Sequence, residues 1–301
     1  MYVGLWSRLE GFERPALTRA LEDRSVVVGT LMRSTIHLVS AADYWPHVMA
    51  IADARRDWWL RVQRHAIPAV EMEQAAERVR QRLRAGSPIT RRELDAIAAP
   101  GGSVAVGLWI DLVRVPPSST WERRRADLFA LAEDWIGPPP KELTTATAQA
   151  YLVRRYLEGF GPSSVAEIAG WAGLKTATID VVLANLDLRR FRTDDGGELV
   201  DLPRAPLPEP DAPAPVRFLP VWDATLLAHA RRAVIIEESD RSRVFNTRTP
   251  HSLNTFTVDG CVAGTWVFKA GRVQVEPFRQ LPPSVRRQVD DEAERVAAFH
   301  A

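Results

Sequence analysis

Three groups of side chains in the 301-residue sequence have the types and spacing to do chemistry. Thr35 and His37 stand two apart in the β-branched run Thr35-Ile36-His37-Leu38-Val39, so in a strand they share one face. Arg33 precedes them. This pair either touches a ligand or phosphate, or is a satisfied, hydrogen-bonded histidine beside a hairpin. Arg123, Arg124 and Arg125 follow Trp121. Such a run grips phosphates where it is free to do so. Three successive strand residues cannot all face one way, however, and Glu122 and Asp127 are at hand as partners. Arg189, Arg190 and Arg192 surround Phe191 at the start of a hairpin, a good place from which to reach a nucleic-acid backbone or minor groove. Lys175 opens a helix nearby. No cofactor is expected, because no glycine loop that could cradle a phosphate is present. No metal is expected either. His47, His65, His229, His251 and His300 lack ligand spacing with cysteine or carboxylate, and no His-Glu-x-x-His occurs.

The elements that must hold these residues follow from the local pattern. Gly161 to Pro203 reads as helix, turn, helix, hairpin. Ser163 or Ser164 caps the first helix with Glu167 completing a capping box. Gly173 supplies the turn. Ile179, Val182, Leu183 and Leu186 give the second helix one apolar face. Asp194-Asp195-Gly196-Gly197 marks the hairpin between Phe191 and Leu199-Val200. This is the layout of a winged helix. Its second helix carries Lys175, Thr176, Thr178 and Asn185 but no Arg or Gln for bidentate base readout, which disfavours a sequence-reading transcription factor. The acidic hairpin tip would repel phosphate.

The rest of the chain repeats that grammar twice. The first lobe, 1–66, has a short helix at Tyr2–Leu9, a helix at Ala16–Glu22, strands at Val26–Val28 and Thr35–Val39, and a long helix from Ala41 to Gln63. It reads as a winged helix short of its first element. The second, 67–137, has a helix at Ala69–Arg84, a capping box at Thr90–Glu93, an apolar helix at Val104–Val113, and strand-like stretches at Trp121 and Leu128–Leu131. A third, 141–203, adds a helix from Thr144 to Gly159. Residues 204–215 form a proline-rich linker. Residues 216–301 turn to β, with strands at Val216–Leu219, Ala233–Ile236, Thr255–Val258, Cys261–Phe268 and Arg272–Val275, and close with a helix at Ser284–His300. Trp222-Asp223 reads as a core tryptophan beside a capping aspartate. The fold class is therefore mainly helical α+β: tandem winged helices, then a small β-sheet or barrel.

The bulk numbers exclude several classes. Hydrophobic residues make up 46% and charged ones 26%, which fits a globular chain. The net charge of +1, from 39 basic and 38 acidic residues, rules out a polycation, so nucleic-acid binding must come from local clustering. The single Cys261 excludes an internal disulfide and fits a reducing cytoplasm. No apolar run is long enough to span a membrane, and no signal peptide opens the chain.

Several stretches together resemble the AlkZ/YcaQ type of winged helix DNA-binding domain-containing proteins. They are Gly4 through Phe12, Leu31 through Val39, Arg123 through Asp127, Arg155-Tyr156-Leu157 with Phe160-Gly161-Pro162, Phe218 through Asp223, and Val258-Asp259-Gly260 with Gly264-Thr265-Trp266. They run in family order over nearly the whole chain. The resemblance implies tandem winged helices and a C-terminal β-domain. It implies duplex DNA as partner, with alkylated or crosslinked DNA among the expected targets, because some members excise alkylated bases and unhook crosslinks. It makes Arg33, Thr35 and His37 candidates for a lesion pocket in a monomeric protein. Two departures stand out. The family's catalytic Gln-x-Gln or Gln-x-Asp precedes the segment matching Tyr2–Trp6, and neither occurs in the 301 residues. An N-terminal lobe cut short of that motif, with little or no excision activity, is the expectation, and a non-enzymatic DNA-binding or regulatory protein is the alternative. Ser34 stands where the family commonly has glycine, which questions the local turn.

Overall fold

The computed structural model describes residues 1–62, 67–99, 102–209, 211–229, 232–246 and 251–301. The chain forms two compact units, one of Met1–Arg14 with Pro206–Ala301 and one of Pro15–Ala205. The sequence alone suggests five segments with breaks at 66, 137, 203 and 215. The break near 205 lies at the start of the proline-rich stretch, while the first fourteen residues belong with the C-terminal unit.

The N-terminal segment of that unit is α1 (Tyr2–Trp6). The larger unit follows. α2 (Arg14–Glu22) leads into a hairpin of β1 (Val26–Thr30) and β2 (Ile36–Ser40), joined by a 3-10 turn at Met32–Ser34. The long helix α3 (Ala41–Val62) comes next. Gln63 and His65 lie outside the described residues. α4 (Ala69–Arg84), β3 (Ile89–Thr90), α5 (Arg91–Ile97), α6 (Gly102–Val106), β4 (Leu112–Arg114), β5 (Leu128–Leu131) and α7 (Ala132–Ile136) make up the next stretch. Thr90 and Glu93 cap α5 reciprocally.

Three expectations here are corrected. Val104–Val113 is not one helix. α6 ends at Val106, and Val113 is drawn into a sheet, where β4 pairs with both β1 and β5. A β-branched residue with a sheet slot on both sides gains more there than in a helix. Trp121 is not in a strand but in the turns at 116–125, where Pro116 and Pro117 remove two ladder donors. The first two helix–hairpin units are also not separate repeats. Their strands join one five-stranded antiparallel sheet, ordered β2-β1-β4-β5-β3.

α8 (Thr145–Phe160), α9 (Val165–Ala172) and α10 (Thr176–Ala184), with the hairpin β6 (Arg189–Arg192) and β7 (Glu198–Asp201), complete this unit in winged-helix order. Ser164 and Glu167 form the capping box, and Gly173 closes α9 at φ +73. α3 and α8 pack along each other. Val27, Leu31, Tyr44, Trp45, Ile51 and Leu152 share a core there, and a second core gathers Trp59, Met72, Val79, Ile89 and Leu94. Burying each such side chain contributes about 1.5–3 kcal/mol.

In the other unit β8 (Arg217–Leu219) is followed by α11 (Glu238–Val244), β9 (Phe245–Asn246), β10 (His251–Ser252), β11 (Thr255–Val258), β12 (Cys261–Lys269), β13 (Arg272–Pro277) and α12 (Pro283–His300). A four-stranded sheet is ordered β13-β12-β11-β8. Phe218, Phe256, Trp266, Val289 and Val296 form its core with Val3. Ala233–Ile236 is not a strand. A 3-10 turn spans Arg232–Val234, and Ile235 accepts only a single ladder-like bond, from the Val262 N–H at 2.7 Å. Trp222 is not core either. It is 47% exposed at φ +58, while the neighbouring Asp223 is buried, caps a 3-10 turn through the Thr225 N–H and binds Arg8. The aspartate takes the buried role because Arg8 neutralises it, which leaves the tryptophan outside.

Candidate nucleic-acid interface

Tryptophans 58 and 59 are adjacent on α3, so they project about 100° apart. Trp59 is buried in the core with Met72 and Val79, whereas Trp58 is 47% exposed. Trp58 lies on the wall of a cleft of about 900 Å³. α3 forms one side. The start of α8, the α9–α10 turn and the Met32–Ser34 turn form the others. Four cations line it, Arg33, Arg55, Arg61 and Lys175, against the two carboxylates Asp53 and Asp57. This is the local clustering that a chain of net charge +1 requires if it is to bind a polyanion.

The cleft is where the two segments singled out in the sequence meet. Arg33 donates through Nη1 to the Trp171 carbonyl at 2.8 Å. A Cβ on Gly173 would stand 3.6 Å from the Arg33 side chain and backbone. Arg33 and Ser34 both lie in the left-handed region, at φ +53 and +58. Consecutive non-glycine residues there are strained and persist only where the surroundings fix them. The turn is fixed by Ser34 N–H to Leu31 O at 2.9 Å and Thr35 N–H to Met32 O at 3.1 Å. Ser34 thus occupies a conformation that glycine adopts freely.

Arg55 is the most enclosed of the cations. It is 6% exposed, its Nη1 donates to the Thr30 carbonyl at 2.9 Å, its Nη2 lies 3.8 Å from Asp111, and its Nε has no partner. Burial lowers its pKa, and the Asp111 carboxylate opposes that; the guanidinium stays charged. Lys175 is the N-cap residue of α10 and makes no side-chain cap hydrogen bond, so the free N–H groups of that helix start lie in the same turn.

The other sequence candidates are placed elsewhere. The Thr35 hydroxyl donates to Met32 O at 3.0 Å, and His37 Nδ1–H donates to Thr35 O at 2.9 Å. Burial lowers the His37 pKa, with Arg33 and His47 adding to the effect, so the ring is neutral near pH 7 with Nε2 as the acceptor. The turns bearing Arg123, Arg124 and Arg125 are tied down. The Leu128 N–H donates to Ser118 Oγ at 2.6 Å, and Thr120 Oγ1 donates to Pro117 O at 2.8 Å. All three arginines are exposed, with Arg124 stacked 3.9 Å over Trp121. Asp127, offered by the sequence as their partner, instead faces Arg114 at 3.5 Å. On the hairpin, Arg190 pairs with Glu198 at 2.5 Å and Arg189 Nη2 donates to Ala205 O at 3.0 Å, while Arg192 is exposed. Of the ten candidates, the structure brings only Arg33 and Lys175 into one site.

Sequence reading missed Arg55, Trp58, Arg61 and Gln149. The Trp58-Trp59 doublet was the available signal, since neighbouring tryptophans on a helix cannot both enter one core. Among the described residues no cluster of His, Cys, Asp and Glu could hold a metal ion, and no helix is long and apolar enough to cross a membrane.

The fold defines a class of mixed α+β proteins in which helix–hairpin units precede a small antiparallel sheet. It matches the solved structure of Streptomyces sahachiroi DNA glycosylase AlkZ with a TM-score of 0.80, at 20% identity, covering 97% of this chain and 84% of that one. The chain belongs to the AlkZ-like DNA glycosylase family, whose sequence model, "DNA glycosylase AlkZ-like", matches residues 1–299. No curated protein sequence matches it.

Proposed function

We propose that this protein binds duplex DNA along the α3 cleft and receives damaged, alkylated or crosslinked sites there, acting as a cytoplasmic monomer. The observation that carries the reading is the joining of Arg33, Arg61 and Lys175 with the exposed Trp58 in one cleft. Arginine and lysine heads neutralise phosphates, and a solvent-facing indole stacks on an unstacked base. Arg123, Arg125 and Arg192 add exposed charge from fixed turns and a hairpin. Fluorescence anisotropy with a labelled duplex over a salt series tests this. Arg33→Ala and Lys175→Ala should each reduce the slope of log K against log salt by about one. A slope unchanged in both variants rejects the cleft as the DNA site.

For excision, a glycosylase must hold a water at the sugar carbon and stabilise a cationic transition state. Asp53, Asp57 and Gln149 are the carboxylates and the amide that the cleft offers. The second reading is DNA binding without excision. It is favoured by the commitment of Gln149 Nε2 to the Ala50 carbonyl at 3.3 Å. Abasic sites scored on DNA carrying 7-methylguanine separate the two. Release that Asp53→Asn or Asp57→Asn abolishes supports the first, and binding without release supports the second.

A further inference from the structure

Arg55 lines the cleft, yet its side chain is only 6% exposed. A guanidinium so enclosed must recover its desolvation through the bonds it makes. What it bonds is the end of a sheet ladder. Across the β1–β2 hairpin the Leu31 N–H donates to Thr35 O at 2.9 Å. Hydrogen-bonded and non-hydrogen-bonded pairs alternate along an antiparallel ladder. Leu31 therefore bonds toward β2, and Thr30, one residue earlier, turns its carbonyl to the opposite edge. β4 lies along that edge, with Val28 opposite Arg114 and Gly29 opposite Val113. The next rung would set Leu112 opposite Thr30, but the ladder ends at Gly29. Arg55 stands in the place of that rung. Its Nη1 donates to Thr30 O at 2.9 Å, and its Nη2 lies 3.8 Å from the half-exposed carboxylate of Asp111, the residue before β4.

The replaced rung matters to the cleft. Were β1 to go on pairing with β4, residues 31–35 would follow the sheet. Instead the chain leaves it at Thr30, buries Leu31 and Met32, and passes through the left-handed pair Arg33 and Ser34. The far end of this turn is fastened by Arg33 Nη1 on the Trp171 carbonyl. The near end is fastened by Arg55 on Thr30. Two successive residues at positive φ persist only where the surroundings hold them. Arg55 holds them at a cost of its own, since its Nε is buried with no partner among the described residues.

We infer that Arg55 is a positioning residue: its guanidinium stops the β1–β4 ladder at Thr30 and so aims the Arg33 turn into the cleft. Arg55 neutralises no phosphate itself and acts on DNA through Arg33. The inference thus rests on the contact with phosphate proposed above for Arg33.

Two measurements on the full chain test it, and the first needs no DNA. The Ser34 and Thr35 N–H groups are bonded to Leu31 O and Met32 O. Amide hydrogen exchange over residues 31–35 should quicken about tenfold in Arg55→Met, while that of Met72 and Val79 in the other core stays unchanged. The second measurement is the salt dependence of duplex binding by anisotropy. Arg33→Ala and Arg55→Met should each reduce the slope of log K against log salt by about one, and the double variant by about one rather than two. Arg55→Lys, whose ammonium can still donate to Thr30 O, should restore both the exchange and the slope. Arg55→Gln carries the same test if Arg55→Met does not fold. An unchanged slope in Arg33→Ala overturns the DNA reading of the cleft and leaves the exchange to decide the role of Arg55. The inference fails if exchange over 31–35 does not change, if Arg55→Met leaves intact a slope that Arg33→Ala reduces, if its loss adds to that of Arg33→Ala, or if Arg55→Lys behaves as Arg55→Met does.

Discussion

Replacing Ser34 by glycine should stabilise the protein, which is the reverse of the usual effect of introducing glycine. Ser34 sits at φ +58. A left-handed conformation costs an L-residue roughly 1–2 kcal/mol, and glycine removes that cost. Against it stands the added freedom of glycine in the unfolded chain, about 0.4–1 kcal/mol. Ser34 is half-buried, its backbone N–H bond to Leu31 O is kept by any residue, and no hydrogen bond of its side chain enters the balance. The net gain is therefore about 0.5–1 kcal/mol. For a unit of this size that is a rise of about 1–4 °C in the unfolding midpoint. Urea unfolding followed by circular dichroism, with calorimetry beside it, measures the change. Ser34→Ala is the control, since alanine keeps the strained φ and should gain nothing. If Ser34→Gly is no more stable than Ser34→Ala, the strain at this turn is not real and the argument collapses.

Other predictions follow from single features. Burial alone would raise the Asp43 pKa, but hydrogen bonds from Tyr151 and Ser40 and the charge of Arg155 outweigh it and hold the carboxyl below its ordinary value. That stabilisation is complete above the unfolded value near 3.8 and is lost as pH falls through the lower folded value. Tyr151→Phe should reduce stability by about 1 kcal/mol at neutral pH and flatten acid unfolding below pH 4; an unchanged acid limb would contradict it. A Cβ on Gly264 would collide with the Glu276 carbonyl and stand 2.5 Å from Phe256 Cε1. Gly264→Ala should cost about 2–3 kcal/mol in unfolding of the sheet unit, read by proteolysis or calorimetry. Trp222 is half exposed, so Trp222→Ala should move stability by no more than about 0.5 kcal/mol. A larger loss in urea unfolding would show that the ring packs after all.

Much of the fold was legible because local signals agreed with the tertiary answer. The capping boxes at Thr90–Glu93 and Ser164–Glu167 and the left-handed Gly173 behave as their residue types require. Where the sequence misled, a longer-range partner decided. Val113 looks helical until β1 and β5 are present to pair with β4. Trp222 looks like core until Arg8, far away in the chain, neutralises Asp223 and lets the aspartate go inside instead. The site was legible only in part for the same reason. Arg33 and Lys175 belong to stretches that stood out in the sequence. Arg55 and Arg61 lie on α3, whose sequence reads as an apolar face with a charged back, and nothing local shows that the α9–α10 turn stands opposite it.

That turn changes the meaning of the winged-helix segment. By sequence, its second helix was too apolar to read bases and its hairpin too acidic at the tip to approach phosphate. On the hairpin itself, Arg190 is held by Glu198 and Arg189 by the Ala205 carbonyl. The segment contributes by its other end. Gly173 lets the chain reverse closely enough for the Arg33 side chain to reach the Trp171 carbonyl, and the same reversal sets Lys175 at the cleft. A side chain at position 173 would meet both the left-handed φ and the Arg33 backbone at 3.6 Å. Gly173→Val should therefore disturb the Arg33 turn as well as α9. DNA affinity should fall by more than the loss of either cation alone, because one change displaces both. Anisotropy of this variant beside Arg33→Ala and Lys175→Ala decides it: an effect no larger than either single variant would mean that the turn and the cleft are not coupled.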